Sequence, residues 1–427
     1  MRRYKYFFCT CILAVAVFVS LLVGIRTTKA FSTERKMDGI EEIGQCFADF
    51  RIPADARAVG IGEATHGNRE FQTVKRDVLE KVVKEGDGRC ICFEMSVGDA
   101  AMLNDALHDE NADLTEVVGK QSYPIYDTAE IADLLEWMRA YNKDLPYDES
   151  LMFYGVDIQG GGTAIRYLQD TINEGNSLIT EEEKRFILPL DIYDKEQYSS
   201  EREKFAAMYE RLFSMDDLKS KQLGMVVKSV VLNIDAPDYE TNAEENDYNR
   251  DLKMAENLLD YSKLEEERGY RQVVITAHSG HSRRGGKSVL ASDDDETMGD
   301  HIDRLFEGSY FCIGTDFYEG YVNIHTAGTF DDDYERADHF YCSDDPLAYQ
   351  AKYFENETYC LDFSRVTDEN SIVYKNVHSL IFCGTAGEGY GAIQDVYRQE
   401  RSKFVPADRF DAMIFFYEVT PIDPIHA

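Results

Sequence analysis

Five stretches of this chain have the composition of buried strands, and four of them run directly into a carboxylate or a histidine. Ala58-Val59-Gly60-Ile61-Gly62 leads into Glu63-Ala64-Thr65-His66-Gly67. Cys90-Ile91-Cys92-Phe93 meets Glu94, and Leu151-Met152-Phe153-Tyr154-Gly155-Val156 meets Asp157. Gln272-Val273-Val274-Ile275-Thr276-Ala277 meets His278, with His281 just beyond. Apolar runs without alternation suit strands covered on both faces. In an open parallel sheet, ligands bind in the crevice beyond the carboxyl ends of the strands. Ionisable groups repeated at that edge predict one acid/base pocket, and so an enzyme.

Helical periodicity fills the spaces between these runs. Phe71, Val74, Val78, Leu79 and Val82 predict a helix over residues 69–83, and further helices are expected over 99–107 and 130–141. Residues 31–56 read as a stem with a short helix over 39–50, ended before Pro53. Alternating strand and helix argue for right-handed crossovers. Residues 162–269 lack strand signals and carry charges at helical spacing, the pattern of a helical insertion over the pocket mouth. Strands resume at Arg271 and over 310–317, 379–383 and 412–419. The expected fold is α/β, a mainly parallel central sheet flanked by helices, with that insertion over the active-site mouth.

The first thirty residues are of another kind. Arg2, Arg3 and Lys5 precede an apolar run over residues 6–25, long enough to cross a bilayer as a helix. Thr28-Lys29-Ala30 is a poor cleavage site, which favours a retained signal anchor over residues 1–30. The body, 31–427, is then extracytoplasmic and touches the membrane through this helix only. Every acidic residue lies beyond position 30. Setting aside the five cations before it leaves 40 basic against 80 acidic side chains, a formal −40. That field repels phosphate backbones, so no nucleic-acid partner is expected, and it suits a neutral or cationic substrate. The nine cysteines show no zinc or thioredoxin spacing, and Cys342 and Cys360 are the pair placed to bridge in an oxidising compartment. Acidic runs at 293–296 and 331–333 read as solvated loops rather than calcium sites.

Glu63 and His66 stand three apart at a strand-to-helix turn, so both can face one cavity. A histidine takes a proton from water near neutral pH, and a neighbouring carboxylate raises its basicity. The plainer reading is a capping Thr65 beside a structural pair. Glu94 ends an apolar strand, where an unpaired carboxylate is costly, and Lys75 or Arg76 on the preceding helix would pair with it or stabilise an oxyanion. His278 and His281 can serve as bases or metal ligands, while Asp157 and Gln159 can orient a histidine or hold a substrate hydroxyl. His108, His301, His325, His339, His378 and His426 have no comparable setting. No Gly-x-Ser-x-Gly elbow, phosphate loop or dinucleotide fingerprint is present. Direct activation of water by histidine, with or without a metal, fits this inventory.

These segments resemble the erythromycin esterase family. The resemblance rests on Gly62-Glu63-Ala64-Thr65-His66-Gly67-Asn68-Arg69-Glu70-Phe71, Phe93-Glu94, Trp137-Met138-Arg139-Ala140-Tyr141-Asn142 and Gly155-Val156-Asp157-Ile158-Gln159. It continues through Arg250-Asp251-Leu252-Lys253-Met254-Ala255-Glu256-Asn257, Ala277-His278-Ser279-Gly280-His281 and Gly314-Thr315-Asp316-Phe317. It implies a hydrolase that opens a macrolide lactone or other small-molecule ester by adding water, without a covalent serine and without a cofactor. His66 is then the general base and Glu63 its orienting partner. Glu94, His278 and His281 complete the pocket, and Arg76 or Lys75 faces the oxyanion. Tyr123-Pro124-Ile125-Tyr126 departs from the family's tryptophans, and the acidic body and anchor depart from cytoplasmic resistance enzymes. A second reading is a metal-dependent hydrolase with Glu63, His66, Glu94 and His278 as ligands. A third is a non-catalytic cell-envelope or polysaccharide-related binding protein.

Overall fold

Among the described residues, ten strands follow one another: β1 (Ala58–Glu63), β2 (Gly88–Ser96), β3 (Met152–Asp157), β4 (Gln272–His278), β5 (Tyr310–His325), β6 (Arg336–Cys342), β7 (Thr358–Asp362), β8 (Ile381–Gly384), β9 (Arg401–Phe404) and β10 (Ala412–Val419). They come from a computed structural model that describes residues 12–20, 33–285, 296–325, 336–384, 388 and 401–426. The central sheet runs β3-β2-β4-β1-β5-β10-β7, parallel through β10, with β7 antiparallel at the edge and β6 antiparallel to the outer half of β5. The chain leaves β1 toward β2 on one side and β4 toward β5 on the other. The order therefore reverses at the β4/β1 pair, the position where such sheets open a crevice.

Seven helices matter to the site: α1 (Arg69–Glu85), α2 (Val97–Leu107), α3 (Ala129–Asn142), α4 (Gly161–Asn173), α5 (Leu218–Asp235), α6 (Ala243–Glu267) and α7 (Met298–Leu305). Helix α1 forms where the period predicts. Phe71, Val74, Val78, Leu79 and Val82 are buried, and Gly86 stops it with its amide on the Val82 carbonyl. Thr128 caps α3 by accepting from the Ile131 amide.

Side chains alternate across the sheet. Ile91 and Phe93 join Val59, Ile61 and Val274 in a core covered by α1 and α3. Cys90 and Cys92 face the other side with Met152, Tyr154, Val273 and Ile275. That side packs against Val226, Val227 and Val230 of α5 and Met254, Leu258 and Tyr261 of α6. Each fully buried aliphatic or aromatic side chain contributes about 1.5–3 kcal/mol. The strand-free stretch is thus a series of helices joined by loops, forms one of the two layers over the sheet, and brings the first half of α6 to the carboxyl edge.

Several expectations are corrected. The helix expected over 39–50 is a single turn, Ile40–Ile43, because Gln45 and Cys360 exchange backbone hydrogen bonds at 2.9 and 2.8 Å and draw the chain onto the sheet edge. β5 runs eight residues past 317, to His325, since β6 pairs with its extension. β8 pairs only with β9, outside the central sheet. Cys342 and Cys360 are free thiols, set in β6 and β7. The span expected over 6–25 falls mostly outside the described residues. Positions 12–20 are helical, and among the described residues no helix is long and apolar enough to cross a membrane. The acidic runs at 293–296 and 331–333 also lie outside them, apart from Glu296, which pairs with Arg304 at 3.1 Å.

Candidate functional site

Sheet register brings the strand-terminal residues together. Glu63 lies opposite His278 across β1/β4, Phe93 opposite Thr276 across β2/β4, and Asp157 opposite Ser96 across β3/β2. Two charge networks grow from this edge.

The inner one centres on Glu63, which is fully buried. Its Oε1 meets Lys75 Nζ at 2.8 Å and accepts from Thr276 Oγ1 at 3.1 Å. Its Oε2 accepts from Gln72 Nε2 at 3.2 Å and stands 3.4 Å from His66 Nδ1. At 3.4 Å the histidine contact is electrostatic rather than an aligned hydrogen bond, and Nδ1 is buried without another partner. Lys75 is itself buried between the faces of Phe93 and Tyr126, at 4.9 and 4.8 Å from their centroids. Burial pushes the Glu63 carboxyl upward, but Lys75 and His66 outweigh it and draw it down to about 2. Burial lowers His66, and the adjacent Glu63 charge more than restores it, leaving the imidazole more basic than usual. Lys75 ends lower than an ordinary lysine, because burial exceeds what Glu63 returns.

The outer network centres on Arg250 of α6. Its guanidinium donates to Glu94 Oε1 at 2.7 Å and to Asp157 Oδ2 at 2.7 Å, and its Nη1 is 3.1 Å from His281 Nε2. Glu94 Oε2 accepts the His278 amide at 2.9 Å. His281 Nδ1 lies 2.5 Å from Asp251 Oδ1, and the other Asp251 oxygen accepts the Met298 amide at the start of α7. Burial opposes ionisation of Glu94, yet His281 and Arg250 hold it well below the usual carboxylate range. His281 is shifted upward, since Glu94 and Asp251 overcome burial.

His278 sits between the two networks, its ring 5.2 Å from that of His66. The Gly280 amide donates to its Nδ1 at 3.1 Å, which places the neutral ring's proton on Nε2, 3.3 Å from the Ala64 carbonyl. Burial and the neighbouring His66 depress it to about 3, so His278 is neutral wherever the protein is folded near pH 7. A cavity of about 1040 Å³ opens against Arg250, Asp251, Gly280 and His281, with Glu245 and Tyr248 on its far wall. Glu63, His66, Glu94 and His278 are not among its lining residues, and His66 and Glu94 are 7 % and 6 % exposed.

Glu63, His66, Glu94, His278, His281, Asp157 and Lys75 are thus brought to one edge. Two expected residues are not. Arg76 is exposed on the outer side of α1 over Trp137, one helical step from Lys75 and so turned by about 100°. Gln159 is exposed, and only its amide reaches Asp157, at 3.0 Å. Arg250, Asp251, Gln72 and Tyr123, whose hydroxyl donates to Asp157 at 3.1 Å, had no assigned role in the sequence. Arg250-Asp251 lay within a matching segment, but its position in a charged helix gave no sign of burial.

The residues of the metal reading do not fit an ion. Glu63 is engaged by Lys75, Gln72 and Thr276, and Glu94 by Arg250 and the His278 amide. Among the described residues, the one group of three ligand atoms within 4.8 Å of one another is elsewhere, at Asp316, Asp345 and Cys383.

Comparison with known proteins agrees with this architecture. The family described as Erythromycin esterase matches residues 83–419, a span that includes Glu94, Asp157, Arg250, His278 and His281 and begins beyond Glu63 and His66. The curated protein erythromycin esterase type II of Escherichia coli is 26% identical over 112 residues, which is 26% of each chain. A solved protein from Bacillus cereus superposes with a TM-score of 0.67 at 20% identity, covering 91% of this chain and 98% of that one. A succinoglycan biosynthesis protein gives 0.63 at 18% identity, over 86% and 89%. The erythromycin esterase EreC, as a mutant in its open conformation, gives 0.57 at 14% identity, over 87% and 93%. At these identities the solved neighbours speak for the fold.

Proposed function

Because the chain belongs to the erythromycin esterase family, we propose that it is a hydrolase that opens an ester or lactone with a histidine-activated water. The observation that carries this reading is His66 held against the ionised Glu63 and facing the neutral His278 at 5.2 Å. In its unprotonated form His66 takes a proton from water, and the hydroxide oxygen adds to the ester carbonyl. The imidazolium is stabilised by Glu63 and returns the proton to the departing alkoxide. His278 stays neutral and does not compete for that proton. Arg250 borders the cavity beside His281 and supplies positive charge toward the oxyanion, the role Arg76 and Lys75 are not placed to fill. Glu244, Glu245, Asp247 and Glu296 also line the cavity, which favours a neutral or cationic substrate over an anionic one. The basic-then-apolar start of the chain supports an exported, anchored body, which a reporter fused after residue 30 would test.

The deciding experiment incubates the full chain with erythromycin and a panel of simple esters and follows by mass the water adduct of the opened lactone and the acid and alcohol released from the esters. His66→Ala is expected to lower turnover by about 10²–10⁴-fold with folding retained. Unchanged turnover in that variant sinks the assignment. Intact macrolide beside turnover of another ester keeps the chemistry and rejects that substrate.

A further inference from the structure

On the other side of β1 from His278, Asp316 lies on β5 two residues past its last pairing with β1, and a second group of chemically active side chains gathers there. Asp316, Asp345 and Cys383 are 1 %, 0 % and 0 % exposed, and one ligand atom from each lies within 4.8 Å of the other two. They come from three separate segments: the middle of β5, the turn after β6, and β8. Burying one carboxylate without a cation is expensive, and two side by side more so. Among the described residues neither forms an ion pair. The cluster takes no part in the reaction proposed above.

The surroundings orient these groups without satisfying them. The Gly384 amide reaches both Asp316 oxygens, at 3.0 and 2.9 Å, and the Phe317 amide donates to Oδ1 at 2.7 Å. A Cβ at Gly384 would stand 2.5 Å from Asp316 Oδ1, so only glycine lets the backbone approach this closely. Asp345 Oδ1 accepts the Leu347 amide at 2.6 Å. Its Oδ2, fully buried, receives no donor from the rest of the protein, and the Asp345 carboxyl interacts with that of Asp316. The Cys383 sulfur has only a 4.0 Å contact with the Ile381 carbonyl. Two carboxyls that face each other without a cation and a loosely held thiol therefore converge on a common point.

We infer that Asp316, Asp345 and Cys383 form a structural site for a divalent transition metal, zinc by preference, that ties β8 and the turn after β6 to the central sheet. Zinc takes oxygen at about 2.0–2.2 Å and thiolate at about 2.3 Å, which sets ligand separations of roughly 3.3–3.8 Å, a small contraction of the group. Carboxylate with thiolate suits zinc better than calcium or magnesium, which prefer oxygen alone. On binding, the Cys383 thiol forms a metal–sulfur bond, and its proton and the one shared by the carboxyl pair pass to solvent. Two carboxylates and a thiolate then supply three of the dication's four ligands, and water takes the fourth position. Because the three ligands come from segments the unfolded chain does not hold together, binding energy becomes folding energy.

The full chain, purified from zinc-supplemented culture, is analysed for metal by mass spectrometry, and zinc is exchanged for cobalt. Stoichiometric zinc is expected, together with a thiolate-to-cobalt charge-transfer band. Cys383→Ser and Asp345→Asn should fall below about one tenth of the wild-type zinc content. His66→Ala/His278→Ala should keep both ion and band. A wild-type protein with neither zinc nor the cobalt band overturns the inference and leaves a carboxyl pair sharing a proton. Zinc lost from the double histidine variant but kept in Cys383→Ser also overturns it, by placing the ion in the pocket. The cobalt band is read on wild-type protein, so it decides the matter even if a variant fails to fold.

Discussion

Glu63 and Glu94 lie toward the carboxyl ends of β1 and β2, the strands on either side of β4, and each is buried against a cation from the chain itself, Lys75 in one case and Arg250 in the other. Asp316, farther across the same sheet, and Asp345 beside it are as deeply buried and meet no such cation among the described residues. The difference separates two uses of a buried carboxylate. Where the chain provides the counter-charge, the carboxylate stays ionised and can tune a neighbour, as Glu63 does His66. Where it does not, the charge has to be met from outside, by a proton or an ion. The first arrangement is costly to break from within, and the second responds to what the solvent offers.

The largest effect should follow from removing the inner cation. Lys75→Met leaves Glu63 buried with only Gln72, Thr276 and His66, and breaking a buried pair by removing one partner costs about 3–5 kcal/mol. Urea unfolding near pH 7 should show that loss, and Glu63→Gln in the same chain should return much of it. A Lys75→Met variant as stable as wild type would mean that Glu63 is not held ionised by Lys75.

Acid should separate the pocket from a protein without such a pair. Glu63 is depressed to about 2 from an ordinary 4.5. Its contribution is therefore complete above about pH 4.5 and is lost as the pH falls toward 2, by roughly 3 kcal/mol in all. Stability should decline less steeply over that window in Glu63→Gln. The same variant should move the ascending limb of kcat/KM to lower pH, because the charge that makes His66 more basic is gone. A limb that stays in place detaches Glu63 from the base.

Arg250→Lys keeps the charge of the outer network and loses the fork that spans Glu94, Asp157 and His281. A loss of about 2 kcal/mol in transition-state stabilisation is expected, read as lower kcat/KM with folding retained. An unchanged value would show that charge alone, without the bidentate geometry, sustains the outer network.

The legibility of this site follows the same division. Glu63, Glu94, Asp157 and His278 were readable because a strand buried on both faces has one place for an ionisable residue, its end, and sheet register then fixes the neighbours. Their partners were not. Arg250 lies 93 residues from Asp157 in sequence, in a helix whose charges look solvated until α6 is packed against the sheet. Asp345 is invisible for a similar reason: the turn after β6 acquires its buried position only from tertiary packing. The short helix expected over 39–50 gave way because a sheet edge offered its backbone better partners at Cys360.

Arg76 is where sequence spacing and three-dimensional direction part, and it is the control with the smallest expected effect. It neighbours Lys75 in the chain, and the sequence offered both as cations for Glu94 or an oxyanion. One step along a helix turns a side chain by about 100°, so only one of two adjacent residues can face the sheet. Lys75 does, and Arg76 lies in solvent over Trp137 at 5.5 Å. An exposed contact of that kind contributes about 0.5–1 kcal/mol. Arg76→Ala should therefore lower stability by no more than that and leave kcat/KM and its pH limb where they were. A marked drop in turnover would require Arg76 to swing toward the substrate, which would reopen the question of which cation faces the oxyanion and weaken the case for Arg250.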